Sequence, residues 1–342
     1  MTTFPSQTDF EKSYDAGDAQ VLWTTLVADL ETSISAYLKL TEKEQYSSLL
    51  ESVEGGAIRG RYTFIGLKPD LIWRCNGDKP EINRHTLAGV DEKDFQAIED
   101  KGSLESLRDL FAESRIDLPE NMPPSAAGLI GYMGYDIVRL METLPEPNED
   151  VLGFADSMFM RPTIMVVFDS ITDLITIVTP VRASGDVSAN TAYIRAEERL
   201  NDILSSLAQP LSQTAQNMVD TKTPDAPTSN TSKQQFEGMV KRAQDYIKAG
   251  DIFQVVLSQR FSMPFDLPPF ALYRALRRTN PSPFLYYLNF GNFSICGSSP
   301  EILVRLRDGE VTIRPIAGTR PRGKDAAEDK ANAADLLADP KE

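Results

Sequence analysis

The chain has 342 residues, 41% hydrophobic and 25% charged, enough for one large domain or two ordinary ones and balanced like a soluble globular protein. Its net charge of −15 argues against a nucleic-acid binder, and no apolar run approaches the roughly 18 residues that span a bilayer. The first residues, MTTFPSQTDFEKSYDAGD, are polar and acidic, unlike a secretory or transit peptide, and Cys75 and Cys296 stand alone as buried thiols of a reducing compartment, so a cytoplasmic protein is expected.

In chain order, AQVLWTTLVAD reads as a strand and DLETSISAYLKL has apolar residues at helical spacing. RYTFIGL and DLIWRCNGDKPEINR read as a strand and a hairpin with an Asn-Gly turn. The single histidine, His85, closes that hairpin and reads as a surface residue, which leaves no hydrolase triad or histidine metal cluster. SLESLRDLFAES is a short amphipathic helix, and the glycine-rich AAGLIGYMGYD is a buried strand with close backbone approach. MFMRPTIMVVFDSITDLITIVTP folds back on DSITD as a hairpin, and NTAYIRAEERLNDILSSLA is a helix with an apolar stripe. The pattern divides the chain into an N-terminal α+β region (1–207), a linker or surface loop (208–231) poor in apolar groups, and a C-terminal region (232–342).

The C-terminal region opens on a capping box, Ser232 with Gln235, and its first helix stops at Gly250. The next stretch, GDIFQVVLSQRF, alternates as a strand. Phe253, Val255, Leu257 and Phe261 would face the core, and Ile252, Gln254, Val256, Ser258 and Arg260 the opposite side. Gln254 would then point toward a site, where an amide orients a small polar molecule but cannot act as a base. The other reading is a glutamine satisfied by nearby backbone. PPFALYRALRRTN is a helix opened by prolines and stopped before Pro281. FLYYLNFGNFSICG and EILVRLRDGEVTIRPIAG are hairpins. From Lys233 onward, 16 basic and 13 acidic side chains give +3, leaving 19 and 37, or −18, upstream. The basic RPIAGTRPRGK suits a carboxylate ligand: Gly318 admits it to the backbone, Thr319 supplies a hydroxyl and N–H, and Arg320, Arg322 and Lys324 supply charge. The competing reading is a turn with solvated charges. In LLADPKE, Asp339, Pro340 and Glu342 form the opening signal of a further helix, as though the chain continued.

Together, LLESVEGGAIRGRYTFIG, GLIGYMGYD, AGDIFQVVLSQRF, NPSPFLYYL, GSSPEILVRL, PIAGTRPRG and LLADPKE, in this order over residues ~45–342, resemble component I of anthranilate synthase, a chorismate-utilising enzyme. The resemblance implies an α+β fold with two largely antiparallel sheets and helices sandwiched between them, incomplete at the C-terminus. It implies conversion of chorismate and ammonia to anthranilate and pyruvate, the first step of tryptophan biosynthesis, with Mg2+ as cofactor. A glutamine amidotransferase subunit would supply the ammonia. Gly318 and Thr319 fall in the chorismate site. Gln254 takes the position where related, water-adding enzymes carry a lysine, so it favours ammonia, which needs no base, over water.

The resemblance further implies feedback inhibition by L-tryptophan, held by Glu51, Ser52, Pro283, Phe284 and Leu285. Glu342 would be the first acid of the metal cluster, whose partners lie downstream. A lone carboxylate is a poor Mg2+ site, so this stretch alone is expected to be inactive. The alternatives are aminodeoxychorismate synthase component I and a non-catalytic tryptophan-binding module.

Overall fold

The computed structural model describes residues 2–54, 58–120, 122–123, 125–212, 225–314 and 318–340. They form two compact units, Met1–Ser212 with Tyr273–Glu342, and Gln213–Leu272. The expected three-part division follows chain order; packing instead returns the residues after Tyr273 to the unit that begins at the N-terminus.

The first unit runs α1 (Gln7–Asp15), β1 (Gln20–Val27), α2 (Ser33–Leu40), β2 (Tyr46–Glu54), β3 (Ile58–Asn76), β4 (Lys79–Asn83), β5 (Gln96–Ala97), α3 (Ser103–Ser114), β6 (Ile130–Met133), β7 (Ser157–Asp169), β8 (Leu174–Val181) and α4 (Ala189–Leu207). The second holds β9 (Thr228–Ser229), α5 (Lys233–Ala249) and β10 (Phe261–Ser262). Helix α6 (Pro269–Thr279) leads back to the first unit, which ends with β11 (Phe284–Phe290), β12 (Ser294–Ser299), β13 (Arg305–Arg307), β14 (Glu310–Thr312) and α7 (Ala326–Ala338).

The fold is α+β, as expected. Ten strands make one antiparallel sheet with the path β1-β8-β7-β3-β2-β11-β12, β6 beside β7, and β4 and β5 continuing from β3. The remaining strands among the described residues form two two-stranded ladders, β9–β10 and β13–β14.

Sequence explains the central strands. SMFMRPTIMVVFD in β7 is apolar almost throughout, and it is buried almost throughout because β3 and β8 flank it and side chains cover both faces. On one face, α4 lays Ala192, Ala196, Leu200 and Ile203 against β1 and β8. On the other, α3 is tied down by the Trp73 indole, 1% exposed, whose N–H donates to Ser106 Oγ at 3.0 Å. The expected close approach in AAGLIGYMGYD is real: a Cβ on Gly131 would stand 2.0 Å from the Met158 carbonyl oxygen. The strand itself is only four residues and half-buried. RYTFIGL and DLIWRCN are one strand kinked at Lys68 (φ 48°), where the register with β7 shifts between Pro69 and Leu71.

In the second unit, the capping box forms: Gln235 N–H donates to Ser232 Oγ at 3.3 Å, and Ser232 N–H to Gln235 Oε1 at 2.9 Å. Gly250 ends α5 at φ 83°. The strand expected from Ile252 is absent. Residues 251–260 carry no strand, and only Phe261–Ser262 pairs, with β9. Phe253 is 99% exposed and Val256 82%. A strand exists only through its ladder, and among the described residues no strand pairs with 251–259; only Arg260 is held, its carbonyl accepting from the Asn230 N–H at 3.0 Å and its N–H donating to Asn230 Oδ1 at 2.8 Å, so the alternating pattern has no face to bury.

Two C-terminal expectations also change. The hairpin in EILVRLRDGEVTIRPIAG is reduced to three residues a side, turning at Asp308–Gly309. Asp339 caps the C-terminus of α7; its expected role as a helix opener involves Glu342, which lies outside the described residues.

Candidate functional site

Glu51 sits in the middle of β2, opposite Leu285 of β11 and Thr63 of β3. Pairing on both sides buries it to 7% exposure. A buried carboxylate needs partners, and Glu51 has four bonds to them. Oε1 accepts from Ser33 Oγ at 2.8 Å and Arg277 Nη2 at 2.9 Å; Oε2 accepts from the Tyr273 hydroxyl at 2.7 Å and Arg277 Nε at 2.6 Å. Tyr273 and Arg277 are one helical turn apart on α6, so both reach the same carboxylate. Ser33 opens α2, behind the capping box of Thr32 and Ser35.

The electrostatics follow from this enclosure. Burial, then the Glu51 charge, push the Tyr273 hydroxyl far above its ordinary range, so it stays a donor. Burial disfavours the Arg277 cation, but the bonds to Glu51 outweigh it and hold Arg277 above its usual value.

Beside this carboxylate is a cavity of 130 Å³ lined by Glu51, Ser52, Arg277 and Leu285, and on the far side by Arg61, Asp169, Glu31 and Asp173. Gly60 lets the wall close: a Cβ there would lie 2.4 Å from Ser52 Cβ. Arg61 is held by Asp169 through bonds of 2.9–3.2 Å, and Lys39 pairs with Glu31 Oε2 at 2.5 Å, leaving Glu31 Oε1 buried without a hydrogen bond. Four carboxylates and two arginines therefore line the cavity, with Lys39 paired to one of the carboxylates, a negative balance that suits a ligand carrying a positive group.

Of the five residues expected to hold an amino acid, Glu51, Ser52 and Leu285 line this cavity. Pro283 is half-buried and Phe284 is 40% exposed at the start of β11; neither lines it. Sequence reasoning missed Ser33, Arg61, Asp169, Tyr273 and Arg277. The i, i+4 pairing of Tyr273 and Arg277 on one helix was the available signal.

A larger cavity of 1170 Å³ lies under α3 and β6, walled by Leu50, Phe111, Leu129, Phe159 and Leu288, with Arg108 and Arg115 as its charged lining. Among the described residues, Gly318 and Thr319 line neither cavity. Gly318 is half-buried and Thr319 exposed. The basic loop around them is neutralised more than expected: Arg320 pairs with Asp335 at 2.6 Å and Asp339 at 2.7 Å, and Arg322 with Asp329 at 3.0 Å, all on or just after α7. Gln254 is exposed in the second unit. Glu342 lies outside the described residues. Among those described, no three His, Cys, Asp or Glu side chains come together to hold a metal ion.

Comparison with known proteins gives the class. A model of the chorismate binding enzyme family matches residues 61–342, most of the chain including the paired strands around Glu51 on the β3 side and β11. The chain belongs to the chorismate binding enzyme family. Anthranilate synthase component 1 of Cereibacter sphaeroides is 50% identical over 343 residues, covering 100% of this chain and 67% of the relative. The Aquifex aeolicus protein of the same name is 39% identical, covering 94% and 63%. The crystal structure of anthranilate synthase component I from Streptococcus pneumoniae superposes with a TM-score of 0.65 at 30% identity, covering 92% of this chain and 64% of that one. The menaquinone-specific isochorismate synthase of Escherichia coli, at 15% identity and a TM-score of 0.54, shares the fold. The chain spans about two thirds of the length of these relatives. Among the described residues no helix is long and apolar enough to cross a membrane.

Proposed function

We propose that the protein is the large subunit of an anthranilate synthase. It would convert chorismate and ammonia to anthranilate and pyruvate in the cytoplasm, with ammonia delivered from glutamine by a partner amidotransferase, and would be inhibited by L-tryptophan. The observation that carries the reading is 50% identity along the whole chain to a relative of that name. Mg2+ is implied by the resemblance alone.

The geometry supports a ligand-holding role for one region, and the resemblance suggests roles for the others. The cavity beside Glu51, with its surplus carboxylate and the apolar side chain of Leu285, suits an amino acid that presents an ammonium and an apolar body. Gly318 and Thr319 are assigned to the substrate carboxylate, as a bend that offers N–H and hydroxyl donors. Gln254 is assigned to ammonia: its amide can orient an amine that is already a nucleophile, whereas water would need a base.

Product analysis tests this. The intact protein, given chorismate, ammonia and Mg2+, should release anthranilate and pyruvate, and Gln254→Lys should divert product toward a hydroxylated ring. Release of 4-amino-4-deoxychorismate would move the protein to the aminodeoxychorismate branch. An unchanged product ratio in Gln254→Lys would remove the role given to Gln254.

A further inference from the structure

The cavity beside Glu51 is small. At 130 Å³ it is smaller than the roughly 300–1,000 Å³ that encloses small organic ligands. Glu51 also has no acceptor to spare. A carboxylate offers about four lone-pair sites, and Ser33, Tyr273 and two nitrogens of Arg277 fill four. An arriving ammonium must therefore displace a donor. Arg277 is the one to leave. It is the only cation of the three, so it alone would repel an ammonium at the same carboxylate. It also has a way out: its side chain is 19% exposed, whereas Tyr273 is 0% exposed and Ser33 7%.

We propose that the Glu51–Arg277 pair is an exchangeable tie, in which the ammonium of an amino-acid ligand replaces the Arg277 guanidinium on Glu51 and so frees the Arg277 end of α6 from β2, while Tyr273 keeps its bond to the carboxylate. This rests on reading the cavity as the amino-acid site. The exchange swaps one cation for another on a buried carboxylate, so Glu51 is never left unpaired. A ligand without an ammonium cannot drive it. Since α6 continues in sequence from the 213–272 unit that carries Gln254, the released helix is the element whose two positions the ligand selects between.

The test is calorimetric titration of L-tryptophan into the intact protein and its Glu51→Gln, Arg277→Gln and Arg277→Lys variants. Amide exchange of residues 273–279 is followed alongside. Arg277→Gln removes the competing cation, so affinity should rise at least threefold and the ligand-induced rise in Tm should grow. Arg277→Lys, which keeps charge but loses the two-pronged bond, should shift the same way by less. Indole-3-propionate, lacking the ammonium, should gain nothing from either change. In the unsubstituted protein, L-tryptophan should speed exchange at 273–279. Unchanged or weaker binding in both Arg277 variants overturns the exchange. If L-tryptophan does not bind at all, or binds equally well to Glu51→Gln, the amino-acid site itself is misassigned and the exchange falls with it. Loss of binding in Glu51→Gln with no gain in the Arg277 variants removes the exchange alone.

Discussion

Strand β2 and residues 251–260 are written in much the same way. Each places a polar side chain among β-branched and aliphatic neighbours, Glu51 after Leu49–Leu50 and Gln254 before Val255–Val256. In β2, β3 pairs along one edge and β11 along the other, Leu49 is 0% exposed, and Glu51 is enclosed with four hydrogen bonds. In 251–260 no ladder forms among the described residues, Phe253 stands 99% exposed, and Gln254 faces solvent. Alternation states which side chains share a face. Only neighbouring strands decide whether that face is covered, and so whether a polar residue on it becomes a fixed group or a solvated one.

The largest expected effect lies on the enclosed side. Glu51→Ala strands Arg277 and Tyr273 beside an empty acceptor position, and removing one partner of a buried pair costs about 3 kcal/mol or more. Urea unfolding should show that loss as a fall in midpoint at constant m-value. Replacing both Glu51 and Arg277 by methionine should restore most of it, since an apolar pair leaves no charge unmatched. A Glu51→Ala loss under about 0.5 kcal/mol, the range of ordinary surface changes, would erase the contrast between the two segments.

Legibility in the sequence follows the same division. Elements whose partners are local, such as α4 with its apolar stripe and the β7–β8 hairpin around Asp173 (φ 51°), lie where periodicity and turn residues place them. The capping box at Ser232 and the stop at Gly250 are local and equally readable. What periodicity could not supply is long-range. Nothing in NPSPFLYYL says that β11 pairs with β2, 230-odd positions upstream; the resemblance brought those segments together, and the ladder from Leu285–Glu51 to Phe290–Tyr46 realises it. The residues that finish the Glu51 site, Ser33 and Arg277, come from two helices whose packing no window of sequence contains. Residues 251–260 fail for the converse reason: the pattern is strand-like, but a strand is a property of pairs.

An intermediate case sharpens the comparison. Glu113, at the end of α3, accepts from Arg84 at 2.6 and 2.7 Å and from Arg161 at 3.0 Å. The bonds from Arg84 and its charge, then the bond and charge of Arg161, lower its pKa to about 2 against an opposing burial effect. A folded-state value below the unfolded one means that the stabilisation is complete above about pH 4.5 and is lost as pH falls toward 2. With 41% of the side chain exposed, screening reduces the pair's worth to roughly 1 kcal/mol. Glu113→Gln should therefore lower stability by about that amount at pH 7 and flatten the acid limb of the stability curve between pH 4.5 and 2. A parallel acid limb in the variant would show that the Arg84–Glu113 pair does not couple to folding.

The smallest effect belongs to the open segment. Gln254→Ala removes an exposed amide from backbone that no ladder holds, so its cost should stay within about 0.5 kcal/mol. Amide exchange gives the matching local measurement. Backbone N–H groups of residues 252–259 should exchange with little protection, whereas those of residues 48–51, held between β3 and β11, should be protected nearly to the global limit. Protection across 252–259, or a loss above about 1 kcal/mol in Gln254→Ala, would mean that this segment is paired in solution, since only a ladder can both slow its amides and make its side chains count. The alternation of Phe253, Val255 and Leu257 would then describe a covered face, and Gln254 would be a fixed group like Glu51.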